Sequence, residues 1–285
     1  MSDEGVTVST VPALTLSGGV SIPQLGFGVY QVQPEETVEA VTAALEVGYR
    51  HIDTAQMYGN EAGVGEAVRA SGIPREEVFV TSKLSNAAHE PDDARRAVDE
   101  TVAALDLGYV DLFLVHWPLP TVVDFVPTWK VLEEAHADGR ARSVGVSNFQ
   151  VPHLRRLASE CDVVPAVNQV EVHPYFGNEE VRAYGLDHGI LTEAWSPIAQ
   201  GAVLDDPQVL AVARAVDRSP AQVVLRWHVQ RGDVVFPKSV TPNRVRENFA
   251  LFDFELSGTD MTEIGALNRD ERTGPDPDTF NHVPA

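Results

Sequence analysis

Short apolar runs rich in Val, Ile and Phe alternate along the chain with longer stretches whose apolar positions recur at helical spacing. The apolar runs predict strands near 26–31 (GFGVYQ), 49–55 (YRHIDTA), 78–84 (VFVTSKL) and 110–117 (VDLFLVHW). Four more are predicted near 141–148 (ARSVGVSN), 164–172 (VPAVNQVEV), 190–195 (ILTEAW) and 234–239 (VVFPKS). Between them, PEETVEAVTAALEVG places Val38, Val41 and Leu45 at helical spacing, with Gly48 as a left-handed cap. PDDARRAVDETVAALDLG repeats the pattern, with acids in its first turn and Gly108 at its end. Eight such alternations, with strands that are apolar nearly throughout, predict an α/β fold whose parallel sheet is buried on both faces. The natural closed form is a (β/α)8 TIM barrel with extra helices, whose active site lies at the C-terminal ends of the strands.

Two segments fall outside the eightfold pattern. ALTLSGGVSIPQLG reads as an N-terminal β-hairpin turning at Gly18-Gly19, placed to plug the bottom of the barrel. The tail RTGPDPDTFNHVPA, rich in Pro, Asp and Thr, reads as a loop. With no linker, repeat or low-complexity block, residues 1–285 are expected to form one barrel domain.

Composition narrows the partners. A hydrophobic fraction of 44% and a charged fraction of 22% are those of an ordinary globular protein, and no apolar run of about 18 residues marks a membrane span. The opening MSDEGVTVST is acidic and polar where a secretory signal would be basic and then apolar, so a cytoplasmic location is expected. The single cysteine, Cys161, has no intramolecular partner and sits between Glu160 and Asp162, whose charge disfavours a thiolate nucleophile. A net charge of −21 argues against nucleic acid and anionic membranes as partners. A phosphate-bearing cofactor would therefore need a local basic site. Nothing in the sequence asks for more than a monomer.

At the predicted strand ends the polar residues stand out. The second strand ends in Asp53, with Tyr58 just beyond; the third carries Lys83 and the fourth ends in His116. Each alone has a plainer explanation: a helix cap, a half-buried aromatic, a solvated lysine, a satisfied core histidine. On adjacent strands of one barrel they converge, and converging polar groups must pair or cost several kcal/mol. A phenol with an ordinary pKa near ~10 is too weak an acid at neutral pH. A neighbouring ammonium would lower that pKa, a carboxylate would hold the ammonium, and the histidine would orient a substrate oxygen. Such a set can protonate a carbonyl oxygen as hydride reaches the carbon.

The stretch GYRHIDTAQMYGNEAGVG resembles the first signature of the aldo-keto reductases; SVGVSNF at 143–149 and FPKSVTPNR at 236–244 resemble the second and third. The resemblance runs from about residue 14 to residue 280. GFGVYQV, AWSPIAQG and TGPDPDTFN bring the chain nearest the prokaryotic group that includes 2,5-diketo-D-gluconate reductase. It implies a catalytic tetrad of Asp53, Tyr58, Lys83 and His116, with Tyr58 as general acid and hydride from C4 of a nicotinamide. It further implies carboxamide contacts from Ser147, Asn148 and Gln169, and a ring-stacking Trp195. Lys238, Ser239 and Arg244 match positions that bind the 2′-phosphate of NADPH, and Glu247 and Asn248 match those near the adenine. Lys238, Arg244 and Arg246 in PKSVTPNRVREN supply the local basic site, and favour NADPH/NADP+ over NADH.

One position departs from the pattern. Where many relatives carry a tryptophan after the lysine, this chain reads Lys83-Leu84-Ser85-Asn86. Ser85 should widen the pocket, leaving Tyr30 and Trp117 as its aromatics, and the short WPLPTVVDFVP segment should leave the cleft open. The expected partner is a small-molecule carbonyl substrate, dicarbonyls or keto-sugars among them. Two other functions are compatible with a barrel: a lyase forming a Schiff base on Lys83, which Asp53 opposes by keeping that lysine charged, and a redox-sensing barrel without turnover. The nine histidines show no tight two-histidine metal motif.

Overall fold

The computed structural model describes residues 11–284; the acidic opening stretch 1–10 lies outside them. A short hairpin of β1 (Ala13–Thr15) and antiparallel β2 (Ser21–Pro23) comes first, with Gly19 in the left-handed region at φ 79°. Eight parallel strands follow: β3 (Phe27–Gly28), β4 (His51–Asp53), β5 (Phe79–Leu84), β6 (Val110–Val115), β7 (Ala141–Ser147), β8 (Val167–Glu171), β9 (Leu191–Trp195) and β10 (Val234–Val235). They are hydrogen-bonded in chain order. A parallel bridge between Leu25 and Val235, with Gly26 N donating to the Val235 carbonyl at 2.9 Å, joins the first strand to the last. The expected barrel is closed.

The helices are α1 (Pro34–Val47), α2 (Glu61–Ala70), α3 (Pro91–Leu105), α4 (Phe125–Ala137), α5 (Val151–Glu160) and α6 (Glu179–His188). Two helices, α7 (Pro207–Val216) and α8 (Pro220–Gln230), separate β9 from β10, and α9 (Pro242–Phe249) and α10 (Gly258–Gly265) follow β10. Each of the last two strands is thus followed by two helices where the eightfold pattern needs one, and these two additions are the extra helices. Proline opens α1 and α3 where its missing N–H costs nothing, and acids fill their first turns. Gly48 ends α1 at φ 122° as expected. The end of α3 differs: the helix stops at Leu105, Asp106 takes the left-handed position at φ 50°, and Gly108 lies in the loop beyond. Aspartate tolerates this backbone through its short polar side chain.

Successive side chains on each strand point to opposite faces, and both faces are buried. On β6, Phe113 and Val115 join a core shared with helix residues such as Val41, Val64 and Leu132. Leu112 and Leu114 point the other way and meet Leu16 and Ile22 of the hairpin, with Phe79 and Val167. The hairpin thus seals the bottom of the barrel with apolar side chains. On β5 the same alternation turns Ser82 outward to Glu61 of α2, while Phe79 and Lys83 share the inner face. The polar residues of the inner face are raised above an apolar floor, toward the C-terminal strand ends. No helix among the described residues is long and apolar enough to cross a membrane.

Candidate active site

Lys83 is wholly buried on the inner face of β5. Its Nζ donates to both carboxylate oxygens of Asp53, at 2.8 and 2.9 Å, and to the Thr54 carbonyl at 2.9 Å, and lies 3.4 Å from the Tyr58 hydroxyl. Asp53 ends β4, and Tyr58 ends a 3-10 turn (Gln56–Tyr58) that follows it. Gly59, at φ 68°, lets the chain leave that turn into α2. His116 follows β6 directly, its ring edge-on to Tyr58 with centroids 5.8 Å apart. All four sequence-predicted residues therefore meet around one phenol.

Their electrostatics correct one expectation. Burial pushes the Tyr58 phenol above its ordinary value. The Lys83 charge and hydrogen bond pull it back, Asp53 pushes it up again, and the net direction is upward. The lysine limits the rise rather than lowering the phenol below a free tyrosine, because a desolvated phenolate costs more than one partly neutralised ammonium returns. Burial is the largest single influence on Lys83 and works against its charge, but Asp53, with Tyr58 and Glu193, outweighs it and holds the ammonium above its usual range. Burial and the Lys83 charge keep His116 well below the usual histidine range. At neutral pH the cluster is a charged lysine, a protonated tyrosine and a neutral imidazole. A neutral imidazole can donate one hydrogen bond to an oxygen without being the stronger acid.

The residues implied for the nicotinamide lie at the neighbouring strand ends. Ser147 Oγ donates to the Gln169 carbonyl at 2.9 Å. Asn148, in the left-handed region at φ 65°, donates to the His116 carbonyl and to Ser147 Oγ, both at 3.0 Å. Its Oδ1 accepts from Trp195 Nε1 at 2.8 Å, which pins the indole at the end of β9. Every polar atom of the Asn148 side chain is thus engaged within the protein. Gln169 Nε2 donates downward, to Asp53 Oδ2 at 2.8 Å and to Glu193 Oε2 at 2.9 Å.

The basic segment follows β10. Lys238, Arg244 and Arg246 are exposed, and none has an acidic partner among the described residues. In a chain with twice as many acids as bases, three unpaired cations within nine residues form a local anion site. Ser239 is buried, its Oγ accepting from Thr241 N, while Glu247 and Asn248 are half-buried in the last turn of α9. Pro242 opens α9, so its first turn adds a favourable dipole for an anion beside the cations.

On the substrate side, Tyr30 is exposed with its ring 5.1 Å from that of Tyr58. Ser85 is half-buried beside Gln56, whose Oε1 accepts from Ser85 N at 2.7 Å; its hydroxyl accepts from Ala87 N within its own turn. The sequence led us to expect an open cleft with Trp117 as a pocket aromatic; the structure adds a contact on Trp117 that was not expected. The short segment after His116 leaves Trp117 uncovered, but the C-terminal tail covers it: Phe280 packs on the indole at 4.2 Å. Asn86 Nδ2 donates to the His282 carbonyl at 3.0 Å, and Glu171 Oε1 accepts from Thr273 Oγ1 at 2.6 Å and from Gly274 N at 3.2 Å. The tail is a loop, as read, but one tied down at both ends. Phe280, Glu171 and Glu193 went unread in the sequence; Glu193, a charge inside an apolar strand two residues before Trp195, carried the same signal as Asp53 and Lys83.

Cys161 ends α5 half-buried, and burial with the nearby Glu133 pushes its thiol up to about 11. That shift disfavours its thiolate at neutral pH, in the same sense as the flanking acids.

A family model described as "Aldo/keto reductase family" matches residues 22–269. An aldo-keto reductase of Mycolicibacterium smegmatis is 49% identical over 270 residues, covering 95% of this chain and 98% of that one. The methylglyoxal reductase DkgA of Escherichia coli K12 is 45% identical over 269 residues, covering 94% and 97%. Among solved structures, Gox0644 in its apo form superimposes with a TM-score of 0.92 at 42% identity, covering 95% of this chain and 99% of that one. A variant of Gox0644 in complex with NADPH matches equally well, with a TM-score of 0.92. With the barrel, the Asp53–Tyr58–Lys83–His116 cluster and these matches in agreement, the chain belongs to the aldo/keto reductase family.

Proposed function

We propose that this protein reduces small aldehydes and ketones, dicarbonyls and keto-sugars among them, with NADPH as the hydride donor. The observation that carries this reading is the Lys83 ammonium held between the Asp53 carboxylate and the Tyr58 hydroxyl, beside a neutral His116. NADPH fits the residues present. Lys238 and Arg244, with Arg246 nearby, are free cations for a 2′-phosphate, and Trp195 offers a fixed aromatic face. Ser147, Asn148 and Gln169 are polar groups on or just past adjacent strands, and Glu247 and Asn248 follow Arg244 and Arg246 on the same helix. The bound cofactor would supply the hydride from C4 of its nicotinamide.

Tyr58 does the acid work. It keeps its proton through neutral pH and can pass it to a carbonyl oxygen as negative charge builds there. Lys83 then faces the phenolate at hydrogen-bond distance and limits the cost of forming it, while Asp53 keeps Lys83 charged. His116 donates its one N–H to the same oxygen and so orients the carbonyl. Tyr30, whose ring lies 5.1 Å from that of Tyr58, and Trp117, next to His116 and packed on Phe280, would line the approach to that oxygen. The Schiff-base alternative meets the opposite requirement, a neutral lysine, whereas Asp53 holds this one charged. The methylglyoxal reductases at 45% identity support a small dicarbonyl substrate.

A panel of aldehydes, ketones and dicarbonyls, assayed by loss of nicotinamide absorbance with NADPH and then NADH, tests the proposal. Turnover with several small carbonyls and a preference for NADPH is expected; no oxidation of either cofactor with any of them refutes it.

A further inference from the structure

Beneath the tetrad lies one more carboxyl group that the proposed chemistry does not use. Glu193 is fully buried on the inner face of β9. Its Oε2 accepts from Gln169 Nε2 at 2.9 Å, and the same nitrogen donates to Asp53 Oδ2 at 2.8 Å. Glu193 Oε1 is buried without a partner. A primary amide nitrogen carries two hydrogens, and here both are aimed at carboxyl groups. An amide oxygen in that place would face the ion-paired Asp53 carboxylate and be repelled. The Gln169 side chain is therefore left with Oε1 as the atom it can present to a bound molecule.

We propose that Glu193 is a positioning residue for the cofactor: together with Asp53 it holds the Gln169 amide in one orientation, so that a carbonyl oxygen meets the amide hydrogens of the nicotinamide carboxamide. The proposal rests on the nicotinamide reading of the site. It also ties cofactor binding to the tetrad, because one amide nitrogen bridges Glu193 to the carboxylate that holds Lys83.

Burial, and then the Asp53 charge, push the Glu193 carboxyl up to about 8, with Gln169 and Lys83 acting in the opposite sense. The ionisable groups that act on it are Asp53 from the end of β4 and Lys83 from β5. Of the flanking strands, β8 places Gln169 opposite it and β10 places Val234. Glu171, two residues farther along β8, is occupied by His173, Thr273 and Gly274. Glu193 is thus a neutral acceptor at pH 7. Above about pH 8 it becomes a second negative charge beside Asp53, and that charge makes Tyr58 a weaker acid.

The test compares E193Q and E193L with the wild type, reading NADPH affinity by tryptophan quenching and the pH dependence of methylglyoxal reduction from pH 6 to 9.5. E193L removes the acceptor and should weaken NADPH binding about tenfold, the factor for about 1.4 kcal/mol, near one lost buried hydrogen bond. E193Q keeps an acceptor but has no proton to lose, so it should rescue most of that affinity and lose the fall in turnover centred near pH 8. E193L binding NADPH as tightly as the wild type, or E193Q keeping the pH 8 limb, overturns the proposal; should E193L fail to fold, the E193Q profile decides alone. A wild type that neither binds NADPH nor reduces any carbonyl refutes the nicotinamide reading instead.

Discussion

Asp53→Asn removes one charge from a site where water cannot replace it. In the wild type, Lys83 is fully buried and Asp53 meets it at 2.8 and 2.9 Å through both carboxylate oxygens. The amide leaves that ammonium hydrogen-bonded to the Thr54 carbonyl and the Tyr58 hydroxyl, with the Glu193 carboxyl, neutral at pH 7 in the wild type, as the other acid that acts on it. A buried lysine without a counter-charge has a pKa of roughly 5–6, against about 10.4 in an unfolded chain. At pH 7 the interval that counts runs from 7 to about 10.4, which at about 1.36 kcal/mol per unit is about 4.6 kcal/mol. That agrees with the roughly 3–5 kcal/mol typical of breaking a buried pair by removing one partner.

The pH dependence follows from the direction of each shift. In the wild type the Lys83 pKa is raised, so its contribution is complete below the unfolded pKa and is lost only as pH climbs through the folded one. In Asp53→Asn the folded pKa falls below the unfolded one. The unfolded chain then binds the extra proton, and the variant gains stability as pH rises toward 10. Urea denaturation followed by tryptophan fluorescence at pH 7 and pH 9.5 measures both effects. A loss of about 3–5 kcal/mol at pH 7 that shrinks markedly at pH 9.5 is expected; a loss below about 1 kcal/mol, or one independent of pH, refutes the assignment of Asp53 as the group that keeps Lys83 charged.

Three further outcomes are expected. Arg244→Ala should raise the Kd for NADPH at least tenfold and leave that for NADH nearly unchanged in fluorescence titrations, since only NADPH carries the 2′-phosphate; equal losses would remove Arg244 from the phosphate site. Phe280→Ala uncovers Trp117 and removes an aromatic pair worth about 0.5–1.5 kcal/mol of folding stability, so urea denaturation should show a loss of about that size with NADPH affinity unchanged; wild-type stability would show that the tail does not pack on the indole. Gly274→Ala would drive a Cβ into the Trp195 ring, so NADPH binding should weaken while the thermal midpoint moves little; wild-type affinity would show that the indole has room to shift.

The barrel was legible because its strands are buried on both faces and so read as apolar runs. Their lengths were not: GFGVYQ yields only Phe27–Gly28, and VVFPKS only Val234–Val235. At these positions hydrogen bonding, rather than composition, decides where a strand stops. The tetrad stood out as ionisable side chains at strand ends, but the sign of the Tyr58 shift did not, because desolvation depends on packing that spacing cannot reveal. Glu193 was visible as a charge in ILTEAW; its bond to Gln169 depends on the register that sets the two residues side by side. The cover over Trp117 was hidden for another reason. The tail was legible as a loop, yet the contacts that tie it down join Glu171 to Thr273 and Asn86 to His282, far apart in the chain.

The most direct measurement is Tyr58→Phe, which removes one hydroxyl and keeps the ring against Tyr30 and His116. NADPH binding is followed by its fluorescence, and methylglyoxal reduction by loss of nicotinamide absorbance. The expected result is NADPH affinity within about twofold of the wild type and turnover reduced by about 10²–10⁴, the usual worth of a positioned general acid. Wild-type turnover in Tyr58→Phe would contradict the assignment of Tyr58 as the acid.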